Sequence, residues 1–149
     1  MVAEESGESL SPTFALARSF LDAVASRDSD TIWAMCSADV TFEWPFSGDR
    51  VIDRETFDED VSPVLALLDG LDFTDLQIDP MLDPDSLVMR YRGTATITTT
   101  GKPYRQTYIT QIQFNDGKVT LFREYYNTSV LELVTQRSGC VAKIGRAHV

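Results

Sequence analysis

Two patterns in the sequence predict an α+β domain in which a curved antiparallel sheet wraps around N-terminal helices. Apolar residues recur at helical spacing as far as Gly70, and beyond it they alternate with period two through four long segments. Between two of those segments, Asn115-Asp116-Gly117 is a hairpin signal. Helices first and a run of strands after them is the order of an α+β domain.

Taken in order, Ser11-Pro12 offers an N-cap and a first-turn proline, and Phe14, Ala17, Phe20, Leu21, Val24 and Ala25 share one face. A first helix over residues 12–26 follows. Arg27-Asp28-Ser29-Asp30 caps a short second helix over 31–36, after which Val40 to Trp44 alternates as a strand that Pro45 ends. A loop through Ser47-Gly48-Asp49 leads to a third helix over 54–68, with Phe57, Val61, Val64, Leu65 and Leu68 on one face, a kink at Pro63 and Gly70 as its C-cap. Strands are expected over 71–78, 86–99, 104–114 and 119–126, and a final short helix from Ser129. Residues 12–136 form one domain, flanked by tails over 1–11 and 137–149.

Composition narrows the function. With 13 basic against 23 acidic side chains the chain carries a charge of -10, which repels phosphate and argues against nucleic acid and anionic membranes as partners. The longest apolar run, Val64 to Leu68, falls far short of the roughly 20 residues that cross a bilayer. The acidic start, Met1 to Glu8, is unlike a signal peptide, so a cytoplasmic location is expected, with Cys36 and Cys140 as reduced thiols. The last seven residues, Lys143 to Val149, can be encoded by a common sequencing adapter and read as adapter read-through. They contain the single histidine, His148, so any chemistry is expected to proceed without imidazole.

The strand faces hold the site candidates. Leu87, Met89, Tyr91, Ala95 and Ile97 form one apolar face, and Tyr104, Gln106, Tyr108, Thr110, Ile112 and Phe114 form a richer one, polar handles set in an apolar wall. The hairpin decides where Glu124 points. A two-residue loop at Asp116-Gly117 pairs Tyr108 with Tyr125 and turns Glu124 to the other face; a three-residue turn with a bulged glycine pairs Tyr108 with Glu124. The second gathers Gln106, Tyr108, Thr110, Phe122, Glu124 and Tyr126 on one face and is the expected register. There, burial would raise the Glu124 pKa and let the carboxyl exchange a proton near neutrality, while Tyr108 and Gln106 hydrogen-bond a carbonyl or enolate oxygen. The bland alternative is a structural ion pair of Glu124 with Arg90, Arg92 or Arg123. Trp33, Trp44 and Phe46 are candidates to stack on a flat ligand, or are plain core. No phosphate loop, nucleophile elbow or metal triad occurs, so neither cofactor nor metal is expected.

Ser37-Ala38-Asp39-Val40-Thr41-Phe42-Glu43-Trp44-Pro45-Phe46, Asn115-Asp116-Gly117-Lys118-Val119 and Arg123-Glu124-Tyr125-Tyr126-Asn127 together resemble the nuclear transport factor 2-like superfamily, over residues 12–136. Its members are cone-shaped α+β domains that include ketosteroid isomerase, limonene epoxide hydrolase and the SnoaL-like polyketide cyclases. The closing strand is most similar to the phenazine-biosynthesis A/B branch. Three departures matter. Trp44 stands where ketosteroid isomerases carry a catalytic Asp, Arg90 is followed by Arg92 where limonene epoxide hydrolases pair Arg with Asp, and no His lies on the third helix, where the phenazine proteins have one. Only Glu124 carries over. The resemblance implies a small, largely apolar or aromatic ligand, cofactor-free acid–base chemistry or else a binding or assembly role, and a homodimer through the sheet. Glu124 and Tyr108 are the expected catalytic pair; Trp33, Trp44, Phe46, Met89, Tyr91, Gln106, Phe122 and Tyr126 are the expected ligand wall.

Overall fold

The computed structural model describes residues 12–135, so the expectations for both tails, for the adapter segment and for the Ser11 cap lie outside the described residues. Helix α1 (Pro12–Ala25) buries Phe14, Ala17, Phe20, Leu21 and Ala23. Helix α2 (Ser29–Ala34) is capped by Asp28, whose carboxylate accepts the Thr31 N–H, as the polar run predicts. Strand β1 (Cys36–Trp44) follows and turns back at once into a short β2 (Asp49–Val51), which the sequence reading leaves as loop.

The third helical region differs from the continuous helix expected over 54–68. It consists of α3 (Arg54–Thr56), a π turn (Phe57–Val61) and α4 (Ser62–Leu65). Pro63 has no N–H to give, and the chain widens just before it, with the Ser62 N–H reaching the Phe57 carbonyl. Gly70 is no C-cap: it lies within β3 (Leu68–Pro80), at φ +68, where the register shifts between Asp69 and Asp72. A second shift on β3 brackets Asp75, at φ 56. Strands β4 (Ser86–Ile97), β5 (Pro103–Asn115) and β6 (Lys118–Tyr126) complete the sheet, and α5 (Thr128–Thr135) follows it.

The six strands run in the order β2-β1-β6-β5-β4-β3. All neighbours are antiparallel except β1 and β6, which pair in parallel, so the expected antiparallel sheet is a mixed one. Register shifts on β1, β3 and β6 bend it, since a bulge adds a residue to one strand and increases its twist. The concave side closes over α1 and α2, burying Phe20, Ile32, Val40, Phe42, Met89, Tyr91, Ile112 and Phe122 in one core. A second cluster, Leu68, Leu71, Ile97, Tyr104 and Val134, seals the end of the sheet beneath α5.

Candidate active site

Glu124 reaches the concave face by a route other than the one expected. The hairpin loop is the two-residue form, with Asp116 at φ 55 and Gly117 at φ 76, and Asn115 pairs with Lys118. Alone it would send Glu124 outward. A bulge intervenes: Phe114 pairs with Val119 but Gln113 pairs with Leu121, leaving Thr120 as the extra residue, its hydroxyl bonded to the Gln113 carbonyl at 3.2 Å. The pairing of Tyr108 with Glu124 is therefore corrected to Thr110 with Glu124 and Tyr108 with Tyr126. The face stays as expected, because the turn and the bulge together restore the parity.

Both carboxylate oxygens of Glu124 are held. The Trp44 indole N–H donates to Oε1 at 3.0 Å, and the Tyr91 hydroxyl donates to Oε2 at 2.9 Å. Behind Tyr91, Thr110 Oγ1 lies 2.8 Å from the same hydroxyl. The crowding of protein around Glu124 strips its hydration and pushes its pKa up to about 7, against the smaller downward pull of the Trp44 and Tyr91 bonds. The residue nevertheless keeps some accessible surface. The three arginines that could have neutralised it are engaged elsewhere: Arg123 binds Glu43 at 2.7 Å, Arg90 binds Asp79 at 3.2 Å, and Arg92 lies 4.0 Å from Asp75.

The remaining candidates separate into neighbours of Glu124 and residues with other partners. Tyr108 stacks on Tyr91 at 5.0 Å, but its hydroxyl pairs with Tyr104 at 2.6 Å rather than with the carboxyl. Burial keeps all three phenols neutral, pushing Tyr104 up to about 12 and Tyr91 and Tyr108 well above the usual tyrosine value. Gln106 is occupied: its amide donates to the Asn127 carbonyl at 3.0 Å and accepts the Asn127 N–H at 2.9 Å, clamping β5 to the start of α5. Met89 and Phe122 are buried wall. Tyr126 is half-buried beside its partner Tyr108. Trp33 packs against Phe42 and Phe57, at 5.5 and 5.7 Å, with its indole N–H buried and without a hydrogen-bond partner. Phe46 is on the wrong side. It lies edge-on to Tyr125 at 5.3 Å, and Tyr125 points away from Glu124.

The sequence places Thr110 and Tyr104 on the Gln106 and Tyr108 face of β5 but assigns neither a catalytic or ligand-binding role, and the structure joins them to Tyr91 and Tyr108. A hollow of about 430 Å³ is bounded by Arg27, Ser29, Ile32, Phe57, Ser62, Leu65 and Ala66, on the helical side and apart from Glu124. Among the described residues no cluster of His, Cys, Asp and Glu could hold a metal ion, and no helix is long and apolar enough to cross a membrane.

A curved six-stranded sheet closed by helices, with the half-buried Glu124 carboxyl on its concave face, defines a class of domain, and comparison with known proteins specifies it. Residues 17–122 match the SnoaL-like domain, and the chain belongs to that family. Similar curated proteins include YesE of Bacillus subtilis, 22% identical over 133 residues that make up 82% of this chain and 90% of that one. A PhzA/B-like protein of Pseudomonas aeruginosa is 33% identical over 55 residues, 37% of this chain and 39% of that one. Among solved structures, a Bacillus subtilis protein described by inference as an isomerase superposes with a TM-score of 0.72 at 22% identity, covering 80% of this chain and 89% of that one. A Shewanella putrefaciens protein, described in the same way as a SnoaL-like polyketide cyclase, gives 0.72 at 13% identity, covering 91% and 94%. At such identities the structural likeness shows the fold.

Proposed function

We propose that this SnoaL-like domain binds a small, largely apolar or aromatic metabolite and moves a proton on it without a cofactor, in a cyclisation, isomerisation or condensation. The observation that supports this is Glu124, a carboxyl among aromatic rings with a pKa of about 7 and no arginine partner. An acid poised there is present in both forms at neutral pH, which is what a group that takes a proton and returns it requires. Tyr91 is its hydroxyl partner in this reading, and Tyr108 shapes the wall behind it.

The test is exchange of carbon-bound hydrogen. Flat aromatic 1,3-dicarbonyl compounds serve as probes, and deuterium incorporation at their acidic carbon reports proton abstraction. Glu124→Gln keeps the shape and both hydrogen-bond positions but cannot hold a mobile proton, so it should fold and bind the probe while exchange falls by on the order of 10²–10⁴-fold. The second reading, a binding or assembly domain of the same fold, is favoured by the internal pairing of Tyr104, Tyr108 and Gln106 and by the position of the hollow away from Glu124. It predicts binding with no exchange in either protein.

A further inference from the structure

We propose that Trp44 and Tyr91 position Glu124 in two different ways: Trp44 fixes Oε1 as a permanent acceptor, while Tyr91 and Thr110 form a reversible hydroxyl pair that accommodates the acid proton on Oε2. The proposal rests on the reading of Glu124 as the acid–base group and adds where its proton resides and what holds it there.

The two partners of the carboxyl differ in what they can do. An indole N–H donates and never accepts. Protonating Oε1 would weaken the oxygen that receives the Trp44 bond at 3.0 Å, so the proton is directed to the other oxygen. At Oε2 the partner is a hydroxyl, which can do both. Tyr91 Oη stands 2.9 Å from Oε2 and 2.8 Å from Thr110 Oγ1, and it has one proton to place. With Glu124 ionised, Thr110 donates to Tyr91 and Tyr91 donates to Oε2. With Glu124 protonated, Oε2–H donates to Tyr91 and Tyr91 donates to Thr110. Neither hydroxyl gains or loses a proton; only the direction of donation reverses. Thr110 is fully buried and Tyr91 is 2% exposed, so this chain of hydroxyls has no outlet to water at its far end. A proton taken up at Oε2 therefore leaves from Glu124 itself, which keeps some accessible surface.

The surroundings leave these two bonds in control. The titratable groups facing Glu124 are Tyr91 on β4, Tyr104 and Tyr108 on β5 and Tyr126 on β6, and burial keeps each neutral around pH 7. On β1 the facing group is the uncharged Trp44, while Glu43 and Arg123 pair with each other on the opposite face. Among the described residues, burial, Trp44 and Tyr91 are what act on this carboxyl.

The titration of Glu124 in the full chain, followed by carbon-13 NMR with glutamate labelled at the side-chain carboxyl and assigned against Glu124→Gln, reads the proposal without a substrate. Trp44→Phe removes a bond that favours the ionised form, so the midpoint should rise by about one pH unit, tenfold in proton affinity. Thr110→Val removes the acceptor that the reversed chain needs, so the midpoint should fall. Tyr91→Phe should shift it less than Trp44→Phe, because Tyr91 serves both forms. A purely structural role would loosen the site, admit water and lower the midpoint in every variant, so the opposite signs are diagnostic. In the unmodified protein the Trp44 indole N–H resonance should titrate with the carboxyl, which decides the matter even if Trp44→Phe does not fold. A midpoint unchanged or lowered in Trp44→Phe, raised in Thr110→Val, or an indole resonance indifferent to the carboxyl would overturn the proposal. A Glu124 that is well positioned but does no chemistry would pass these titrations and fail the exchange assay, so the two failures are separable.

Discussion

A carboxyl that holds its proton up to about pH 7 costs the fold stability at every pH above that. The sign follows from counting protons. In the unfolded chain Glu124 ionises near its ordinary value of 4.5, and in the native chain near 7, so between those values the native state binds more protons and stability falls as pH rises. Glu124→Gln has no such titration. It should therefore be more stable than the unmodified protein at pH 8 by on the order of 3 kcal/mol, and the gap should shrink to under about 1 kcal/mol at pH 5. Urea unfolding of both proteins at the two pH values checks this; an equal gap at both would mean that Glu124 is solvated like a surface acid. The same residue shows what sequence reasoning could and could not reach. Glu124 was legible because acid, aromatic neighbours and family pattern coincide at Arg123-Glu124-Tyr125-Tyr126-Asn127. Its partners were not, because a hydroxyl partner depends on which of several tyrosines on neighbouring strands comes within 3 Å. Tyr108 was the expected one and Tyr91 holds the bond, across a register that local sequence does not encode.

At the level of elements, the site depends on how closely β4 lets β5 approach. Gly93 sits across from Gln106, and a Cβ built on it would lie 2.8 Å from Tyr108 Cε2 and 3.4 Å from both the Tyr108 hydroxyl and Phe73 Cε1. The Tyr108 ring is buried and stacked on Tyr91, so it has little room to yield. Gly93→Ala should cost about 1–3 kcal/mol by overpacking and should move Tyr91 as well as Tyr108. A drop in the unfolding midpoint together with an altered Glu124 titration would show both effects; an unchanged midpoint would mean that Tyr108 is mobile. Element boundaries were largely readable: periodicity finds α1, α2 and four strands within a few residues, because burial on one face forces the spacing. The bulge was not. Val119 and Phe122 are both buried although three residues apart, which a regular strand forbids, and the inserted Thr120 reconciles them. That pair of apolar residues on the wrong spacing was the available signal, but Leu121 between them supports a regular strand equally well. The short β2 and the π turn at Phe57 escaped for a similar reason: three residues and one widened turn leave no period to detect.

At the scale of the whole molecule, the order of strands leaves the convex face of the sheet uncovered by any described element. It carries exposed apolar surface at its centre: Ile109 is 46% exposed and pairs with Tyr125, and Phe46, 68% exposed, leans on the same ring. Around it lie charges of both signs, Glu43 with Arg123 and Asp79 with Arg90. A patch with both signs at its rim is complementary to a copy of itself turned by a two-fold axis, and the acidic excess of the chain as a whole disfavours a less specific association. We expect a homodimer through this face, with Phe46 serving the interface rather than the ligand wall. Light scattering at tens of micromolar should give twice the chain mass of 16.7 kDa. Ile109→Lys sets like charges on either side of the axis without touching the concave core, so it should yield a folded monomer whose Glu124 titrates as before. One-chain mass for the unmodified protein would rule the dimer out. A dimer that survives Ile109→Lys would place the contact on another surface.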